Sequence, residues 1–227
     1  MKKFLLTAGV LAIASISLFT SCKDEDEPAN INTTTIVTPA LDDSEIADAL
    51  AQALKDAAKD GTIQNADGTT TEVVTVVKTD KDDDVIVTTT STNRDANGNI
   101  TTVEVSESEY DYTYTVDGVT YNSMEEVQNA LRNKPAGSTA TVIATLVQTT
   151  TTITKDATGQ QIGTPTTTTK STKTETTVTI PEVGKTTTTN VQIPVSVDDP
   201  TKTVNNAVTL TTKEVTNNHG GASVSSN

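Results

Sequence analysis

The segment 114–142, YTVDGVTYNSMEEVQNALRNKPAGSTATV, predicts in order a strand, a tight turn, a second strand, a helix and the start of another strand. Asp117-Gly118 supplies the positive φ that a two-residue hairpin needs. Ser123 and Glu126 stand at capping-box spacing and predict a helix over 123–133. The apolar positions that share one face of this helix are Met124, Val127 and Leu131. The segment therefore predicts a fold in which short helices pack on antiparallel strands.

A second helix is predicted upstream, over residues 42–60. Asp42 and Glu45 repeat the capping-box spacing, and Gly61 is placed to end the helix. The apolar stripe consists of Ile46, Leu50, Leu54 and Ala57 or Ala58. This stripe predicts that the helix packs one face against a sheet.

Alternating β-prone runs fill most of the remaining chain. Two runs flank Asp95-Ala96-Asn97-Gly98-Asn99 and two flank Asp156-Ala157-Thr158-Gly159, so each pair is predicted to form a hairpin. The strand that precedes Asp117 places Tyr110, Tyr112, Tyr114 and Val116 on one face. The predicted strands are Val73–Val77, Val85–Thr92, Ile100–Glu107, Tyr110–Val116, Val119–Tyr121, Thr141–Val147, Leu146–Lys155, Ile162–Thr169, Thr176–Ile180, Thr187–Val197 and Val204–Val215.

The composition favours strands, since 50 of the 227 residues are threonine, a β-branched residue that disfavours helix interiors. Tryptophan is absent, which leaves little bulk for a core. We expect an α+β, mainly β fold of thin antiparallel sheets with two short helices. Because a glycine and then β runs follow each helix, we interpret the chain as two divergent tandem helix-plus-hairpin units. The predicted division is a signal peptide at 1–21, an acidic tether at 22–32, units at 33–121 and 122–216, and a flexible tail at 217–227.

The first residues have the order of a secretory signal peptide. Lys2 and Lys3 precede an uncharged, mostly apolar run, Phe4–Leu18, that is too short to span a bilayer comfortably. Small residues then lead to Cys22, the single cysteine of the chain. The sequence therefore predicts export.

The residues Phe19-Thr20-Ser21-Cys22 resemble the lipobox of bacterial lipoproteins, with Phe19 where leucine is common. The resemblance implies cleavage between Ser21 and Cys22, a diacylglyceryl thioether on Cys22 and usually a third acyl chain on its amino group. An ordinary signal peptide followed by an unpaired cysteine is the alternative. Two or three acyl chains hold a protein to a membrane almost permanently.

The next residues, Lys23-Asp24-Glu25-Asp26-Glu27, resemble the export signal that directs lipoproteins of Bacteroidota to the outer leaflet of the outer membrane. The resemblance implies a lipid-anchored protein exposed at the cell surface. A solvated tether is the simpler interpretation of an acidic run, and a periplasm-facing anchor is the alternative location.

The net charge of the protein limits the kinds of partner that it can bind. The formal net charge of −14 argues against nucleic acid, whose phosphates require Lys and Arg, and against adsorption to anionic lipid. We therefore expect the protein to contact the membrane through its lipid anchor. The sequence identifies no protein or surface partner.

Three features of the sequence are candidate metal sites. Asp95, Asn97 and Asn99 alternate as oxygen ligands do in part of a calcium loop, but the glycine position does not fit, so a hairpin turn is the preferred interpretation. An acidic run that could attract Ca²⁺ contains Asp80, Asp82, Asp83 and Asp84; a solvated loop is preferred there. His219 has no cysteine or second histidine for a zinc site. We expect no metal site and no cofactor.

No nucleophile with an adjacent base is identifiable, so we expect a non-catalytic protein. The row of Tyr110, Tyr112 and Tyr114 is either a stacking face for a ligand or, as preferred, a packed sheet face. Threonine runs, at 149–152, 166–169 and 186–189, suggest ice binding, but without a short repeat we expect them to lie out of register. The expected function is a surface binding, adhesion or structural module. The alternative is an accessory protein that captures a glycan or peptide beside an outer-membrane transporter.

Overall fold

The computed structural model describes residues 33–80 and 83–215. The predicted signal peptide, Cys22, the export signal at 23–27, Asp82 and His219 lie outside these ranges. The elements are β1 (Thr33–Thr38), α1 (Asp43–Ala57), β2 (Gly61–Gln64), β3 (Thr70–Thr79), β4 (Val85–Arg94), β5 (Ile100–Val116), β6 (Val119–Tyr121), α2 (Met124–Arg132), β7 (Thr139–Asp156), β8 (Gln161–Thr179), β9 (Thr186–Pro194) and β10 (Thr203–Glu214). The expectation of a mainly β fold with antiparallel sheets and two short helices is confirmed.

The strands form two sheets. One has three strands in the order β1-β10-β9, and the other has seven, in the order β2-β3-β4-β5-β7-β8 with β6 also paired to β5. The predicted boundary between residues 121 and 122 separates strands that pair with each other. Strands β1 and β5 lie before it, and they pair with β10 and β7, which lie after it. Residues 33–215 therefore belong to one body, and the interpretation as two tandem units does not describe its pairing. Alternation in a sequence predicts strands but carries little information about their partners.

The core lies between the two sheets and the helices. From the three-stranded sheet come Val37, Val191, Ile193, Val208 and Leu210; from the seven-stranded sheet come Tyr114, Val116, Ala140, Val142, Ala144 and Val178, and Ile180 follows directly after β8. The residues that α2 contributes are Met124, Val127 and Leu131, as predicted. Burial of each Val, Leu, Ile or Met side chain stabilises the fold by about 1.5–3 kcal/mol, which is how a chain poor in aromatic residues still forms a core.

Helix α1 begins as predicted but ends earlier. The Asp42 carboxylate accepts from the Glu45 N–H at 2.9 Å, and the Glu45 carboxylate accepts from the Asp42 N–H at 2.9 Å, which completes the capping box. Its last residue is Ala57, not Asp60, because Gly61 starts β2 instead of ending the helix.

Helix α2 has its predicted cap, with a difference in detail. The Ser123 hydroxyl accepts from the Glu126 N–H at 3.2 Å, while the Glu126 carboxylate accepts from the Asn122 N–H at 2.8 Å rather than from Ser123. Among the described residues, no helix combines the length and apolar character needed to cross a membrane.

Three hairpins of the larger sheet end in the same kind of turn. The predicted turns at 95–99 and 156–159 are confirmed, and a third turn, at 65–69, was not predicted. In each, the fourth residue is a glycine whose N–H donates to the first carbonyl at 3.0–3.1 Å. The φ angles of these glycines are 83°, 85° and 86°, values that disfavour other residues. Since the hairpins are neighbours in an antiparallel sheet, their tips lie at the same end.

Asn206 secures the connection between β1 and α1. Its side chain is fully buried, its carbonyl oxygen accepts from the N–H groups of Ala40 and Leu41 at 3.0 Å, and its amide donates to the Leu41 carbonyl at 2.9 Å. One side chain of β10 thus satisfies three backbone groups of the loop that leads into α1.

Asn206→Ala is expected to lower the free energy of unfolding by about 2–3 kcal/mol, because three backbone groups lose their partner. Urea denaturation measures the change. Asn190→Ala, at an exposed position in β9, is the control and should stay within about 0.5 kcal/mol of the unsubstituted protein. Equal effects of the two substitutions would contradict this role for Asn206.

Candidate ligand-binding notch

The two edges of strand β5 pair with different strands. Along one edge, β7 pairs with it from Thr102 to Val116. Along the other, β4 pairs with Ile100–Tyr110 and β6 pairs with Tyr114–Val116. Among the described strands, none pairs with residues 111–113 on this second edge. We call the resulting gap between the start of β4 and the end of β6 the β5 notch.

The β5 notch opens into a cavity of about 660 Å³. Its apolar and aromatic lining residues are Leu50, Val85, Tyr110, Tyr112, Tyr114 and Val147. Its polar lining residues are Asp43, Asp83, Asp84, Asp111, Thr113, Asn122 and Ser123. Four carboxylates and no lysine or arginine therefore line the described part of this cavity, which gives it a negative potential.

The three tyrosines of the notch share one face of β5, as the alternation predicts. Tyr110 is 7% exposed and Tyr114 is 1% exposed, so their rings are packed rather than displayed in an exposed row. The Tyr112 hydroxyl donates to the Pro194 carbonyl at 2.6 Å, and the Tyr112 and Tyr114 rings stack with centroids 6.2 Å apart. Burial raises the pKa of Tyr110 to about 12 and also raises the pKa values of Tyr112 and Tyr114. This arrangement agrees with the packed-face interpretation.

The Tyr114 hydroxyl differs from the Tyr112 hydroxyl in its hydrogen bonding. It is buried and has no hydrogen-bond partner among the described residues. Asp43, which also lines the cavity, contributes to the raised pKa of Tyr114 through its charge. A buried hydroxyl without a partner costs about 1–3 kcal/mol.

Asp43 connects the two helices at the notch. Both of its carboxylate oxygens accept from the Met124 N–H, at 2.9 and 3.1 Å, so the first residue of α1 holds the first turn of α2. Burial is the largest cause of its raised pKa, and the charges of Asp83, Asp42 and Glu125 add to it.

A compact group of carboxylates lies at the rim of the notch. The pairing of Val85 with Tyr110 brings Asp84 beside Asp111, and oxygens of Asp84, Glu109 and Asp111 all lie within 4.8 Å of one another. Burial, followed by the charges of Asp111, Asp80 and Glu109, raises the pKa of Asp84 to about 6. Neutralisation of this repulsion by a proton or a cation is therefore favourable.

Sequence reasoning found only part of this group. It singled out Asp80, Asp83 and Asp84 because they are adjacent in the chain, and it missed Glu109 and Asp111 on β5. Nothing in the local sequence marks these two acids. The register of β4 against β5 is the signal that identifies them.

The other metal candidate within the described residues is a turn. The Asp95 carboxylate accepts from the N–H groups of Asn97 and Asn99 at 2.9 Å and from the Asn99 side chain at 3.0 Å. These bonds, the Asn99 side chain first, lower the pKa of Asp95. Its oxygens thus stabilise the hairpin, as the preferred interpretation states.

The expectation that the threonine runs lie out of register is wrong for two of them. Residues 149–152 of β7 face residues 166–169 of β8 pair by pair, and the Thr151 and Thr167 hydroxyl oxygens are 3.3 Å apart. On β5, however, Glu107 and Glu109 face Thr151 and Thr149, so carboxylates interrupt the threonine rank on that face of the sheet after two strands. That face therefore gives no support to a regular ice-binding surface.

No protein-family model matches the chain, and comparisons with curated proteins and with solved structures give no significant match. The acidic rim gives the notch a negative potential, which favours a cation over an anion.

Asp84→Asn is expected to raise the midpoint of thermal unfolding near pH 7.5 and to change it little near pH 4.5. The folded-state pKa of about 6 lies above the ordinary 3.8, so the folded state binds the proton more tightly. Stability therefore falls as the pH rises from about 4 to about 6, and an uncharged amide removes this loss.

Circular dichroism melts at the two pH values measure the effect. Glu175→Gln, which removes one charge at an exposed position of β8, is the matched control. If Asp84→Asn lowers the midpoint of thermal unfolding near pH 7.5 or leaves it unchanged, the result would contradict repulsion among these carboxylates.

Proposed function

We propose that this protein is a non-catalytic lipoprotein, anchored through Cys22 in the outer membrane and displayed at the cell surface, where it acts as a binding, adhesion or structural module. The observation that carries the proposal is the position of Cys22 shortly after an apolar segment with the order of a signal peptide and shortly before β1 at Thr33. Only the acidic stretch 23–32 separates the proposed anchor from the folded body, which suits a domain held close to a membrane by its first residue.

The acidic group supports a binding role. Oxygens of Asp84, Glu109 and Asp111 lie within 4.8 Å of one another, so a bound cation would relieve their mutual repulsion.

A second candidate function is capture of an extracellular ligand beside an outer-membrane transporter. The β5 notch favours this candidate, because its cavity of about 660 Å³ is in the size range of small-molecule sites. The buried tyrosine rings offer no exposed stacking platform for a sugar. The notch therefore suits a peptide or another small ligand better than a glycan.

We expect the mature protein to begin at acylated Cys22 and to be accessible to reagents from outside intact cells. Mass spectrometry of the N-terminal peptide from membrane extracts tests the acylation, and Cys22→Ser should release the protein from the membrane fraction. An unmodified Cys22 or a different mature terminus would contradict the anchor.

Labelling of intact cells with a membrane-impermeant amine reagent tests the display. We expect full labelling, and we expect it to be lost without loss of membrane attachment when Asp24, Glu25, Asp26 and Glu27 are replaced by alanine. Glu175→Gln combined with Glu214→Gln is the control that alters distant acids. Labelling only after lysis would contradict surface display.

A further inference from the structure

We propose that β8 pairs edge to edge and antiparallel with β8 of a second copy of this chain, and that the pair links two opposing cell surfaces. This inference rests on the proposed function and names the partner of an adhesion module. Its support comes from the free edge of β8, the sequence of that edge and its position relative to the proposed anchor.

The free edge is the outer side of β8, the last strand of the larger sheet. The other edge strand of this sheet, β2, has four residues, whereas β8 has 19. Among the described strands, β8 pairs with β7 alone, and its residues 161–171 are all exposed. An edge of this kind presents backbone N–H and C=O groups that can pair with a strand of another chain.

Two hydrogen bonds at the end of β8 show which backbone groups face outward. The Ile180 N–H donates to the Ser138 carbonyl at 2.8 Å, so Ile180 bonds toward the side of β7. The Thr179 carbonyl instead accepts from the Thr187 hydroxyl at 2.9 Å, so Thr179 faces away from β7. This direction alternates from residue to residue along an antiparallel strand.

The same alternation applies to the free part of the edge, because the register of β8 on β7 stays constant from residue 179 to residue 166. Odd-numbered residues therefore direct their N–H and C=O groups outward. Pro165, which has no N–H to donate, comes directly before this stretch. The outward residues of the exposed stretch are Thr167, Thr169 and Ser171.

The strand that already pairs with β8 has the same sequence as the free edge. Residues 149–152 and 166–169 are both runs of four threonines, and they pair antiparallel, residue by residue. A second copy of β8 therefore brings to the outer side the same side chains that pair on the inner side. Cross-strand threonine pairs stabilise such a ladder.

Two-fold symmetry restricts the register of the pair. Opposed residues alternate between hydrogen-bonded and non-hydrogen-bonded positions, so a symmetric antiparallel pair must place one residue opposite its own copy. With Thr169 opposite its copy, Thr167 lies opposite Ser171, and all three outward residues meet outward residues. With Thr167 opposite its copy, Thr169 would lie opposite Pro165, which cannot donate. Within the exposed stretch, the first register therefore forms more backbone hydrogen bonds.

This register brings no carboxylates together. β8 contains no acidic residue before Glu175, although the chain has a net charge of −14. Lys170 would lie opposite Thr168 of the second copy, and its ammonium group is 2.8 Å from the Asp198 carboxylate of its own chain. The acidic character of the chain therefore does not oppose pairing at this edge.

The proposed anchor is attached at the end of the molecule where β8 ends. The described body begins at Thr33, which pairs with Glu214. This end of β10 is also the end that pairs with the start of β9. The start of β9 lies beside the end of β8, since the Thr187 hydroxyl donates to the Thr179 carbonyl.

The other end of β8 lies at the hairpin tip at 156–160, about 60 Å away along its 19 residues. Antiparallel pairing at Thr169 reverses the second copy, so the two Thr179 positions lie about 65 Å apart at opposite ends of the pair. Two upright chains on one membrane share one orientation, whereas chains on two facing membranes are reversed. The pair therefore suits adhesion between two surfaces.

Sedimentation equilibrium of the mature chain with Cys22→Ser tests the self-association. We expect weak, concentration-dependent dimers. Thr169→Lys should weaken them by about tenfold or more, because two ammonium groups would lie opposite each other. Thr62→Lys makes the same change in net charge on the exposed edge strand β2, and as the matched control it should leave the affinity within about twofold.

Charge complementation tests the register. Thr169→Glu should weaken the dimer as Thr169→Lys does, and an equimolar mixture of the two variants should form mixed dimers. Thermal melts of both variants should stay close to that of the unsubstituted protein, because residue 169 is exposed. A protein that stays monomeric up to about 1 mM would overturn the proposal. Equal weakening by Thr62→Lys and Thr169→Lys, or a mixture that forms no dimer, would also overturn it.

Clustering of coated beads tests the orientation. Cys22 is the single cysteine, so maleimide beads couple the non-acylated mature chain at the position of the proposed anchor. We expect these beads to cluster, beads with Thr169→Lys to stay apart, and a mixture of Thr169→Lys beads and Thr169→Glu beads to cluster. Dimers in solution without clustering of beads would overturn the link between opposing surfaces.

These experiments use purified protein and do not depend on where the chain is located. A protein that is acylated and displayed but does not self-associate would refute the partner alone. A protein that self-associates but is not displayed would refute the proposed location alone.

Discussion

The pairing of β5 with β7 is the constraint on which the rest of this structure depends. It runs from Thr102 opposite Asp156 to Val116 opposite Val142 and joins the two halves of the chain in one sheet. Because β7 occupies nearly the whole of one edge, β4 and β6 share the other. The β5 notch is the gap between these two shorter partners, so the candidate site is a direct consequence of unequal strand lengths.

The same pairing explains how a threonine-rich chain forms strands much longer than its core requires. Near the helices, inward residues of β5 and β7 are buried, such as Val116 close to α2 and Leu146 close to α1. Further along, the hydroxyl oxygens of Ser106 and Thr152 are 2.8 Å apart, and cross-strand hydroxyl pairs replace apolar packing. Threonine suits such a region because its branched Cβ favours the strand and its hydroxyl bonds across it. The fold therefore combines a packed half with an extension held by backbone and hydroxyl hydrogen bonds.

Local features of this fold were predictable from the sequence, and non-local features were not. Asp42 and Ser123 marked the helix starts because a cap depends on residues three positions apart. Gly98 and Gly159 marked two turns because only a few residue types accept their φ. In contrast, Asp84 and Asp111 meet only through the register of β4 on β5, and register depends on packing that a single sequence does not display. The candidate site was therefore missed although the tyrosine face beside it was found.

A designed disulfide tests the β5–β7 register most directly. In a Cys22→Ser background, Ser108→Cys combined with Thr150→Cys places two thiols at positions whose hydroxyl oxygens are now 2.7 Å apart. Oxidation followed by peptide mass spectrometry should show a nearly complete intramolecular disulfide for this pair and little for Ser108→Cys combined with Thr154→Cys. Absence of the first disulfide, or preferential formation of the second, would contradict a single sheet built on β5 and β7.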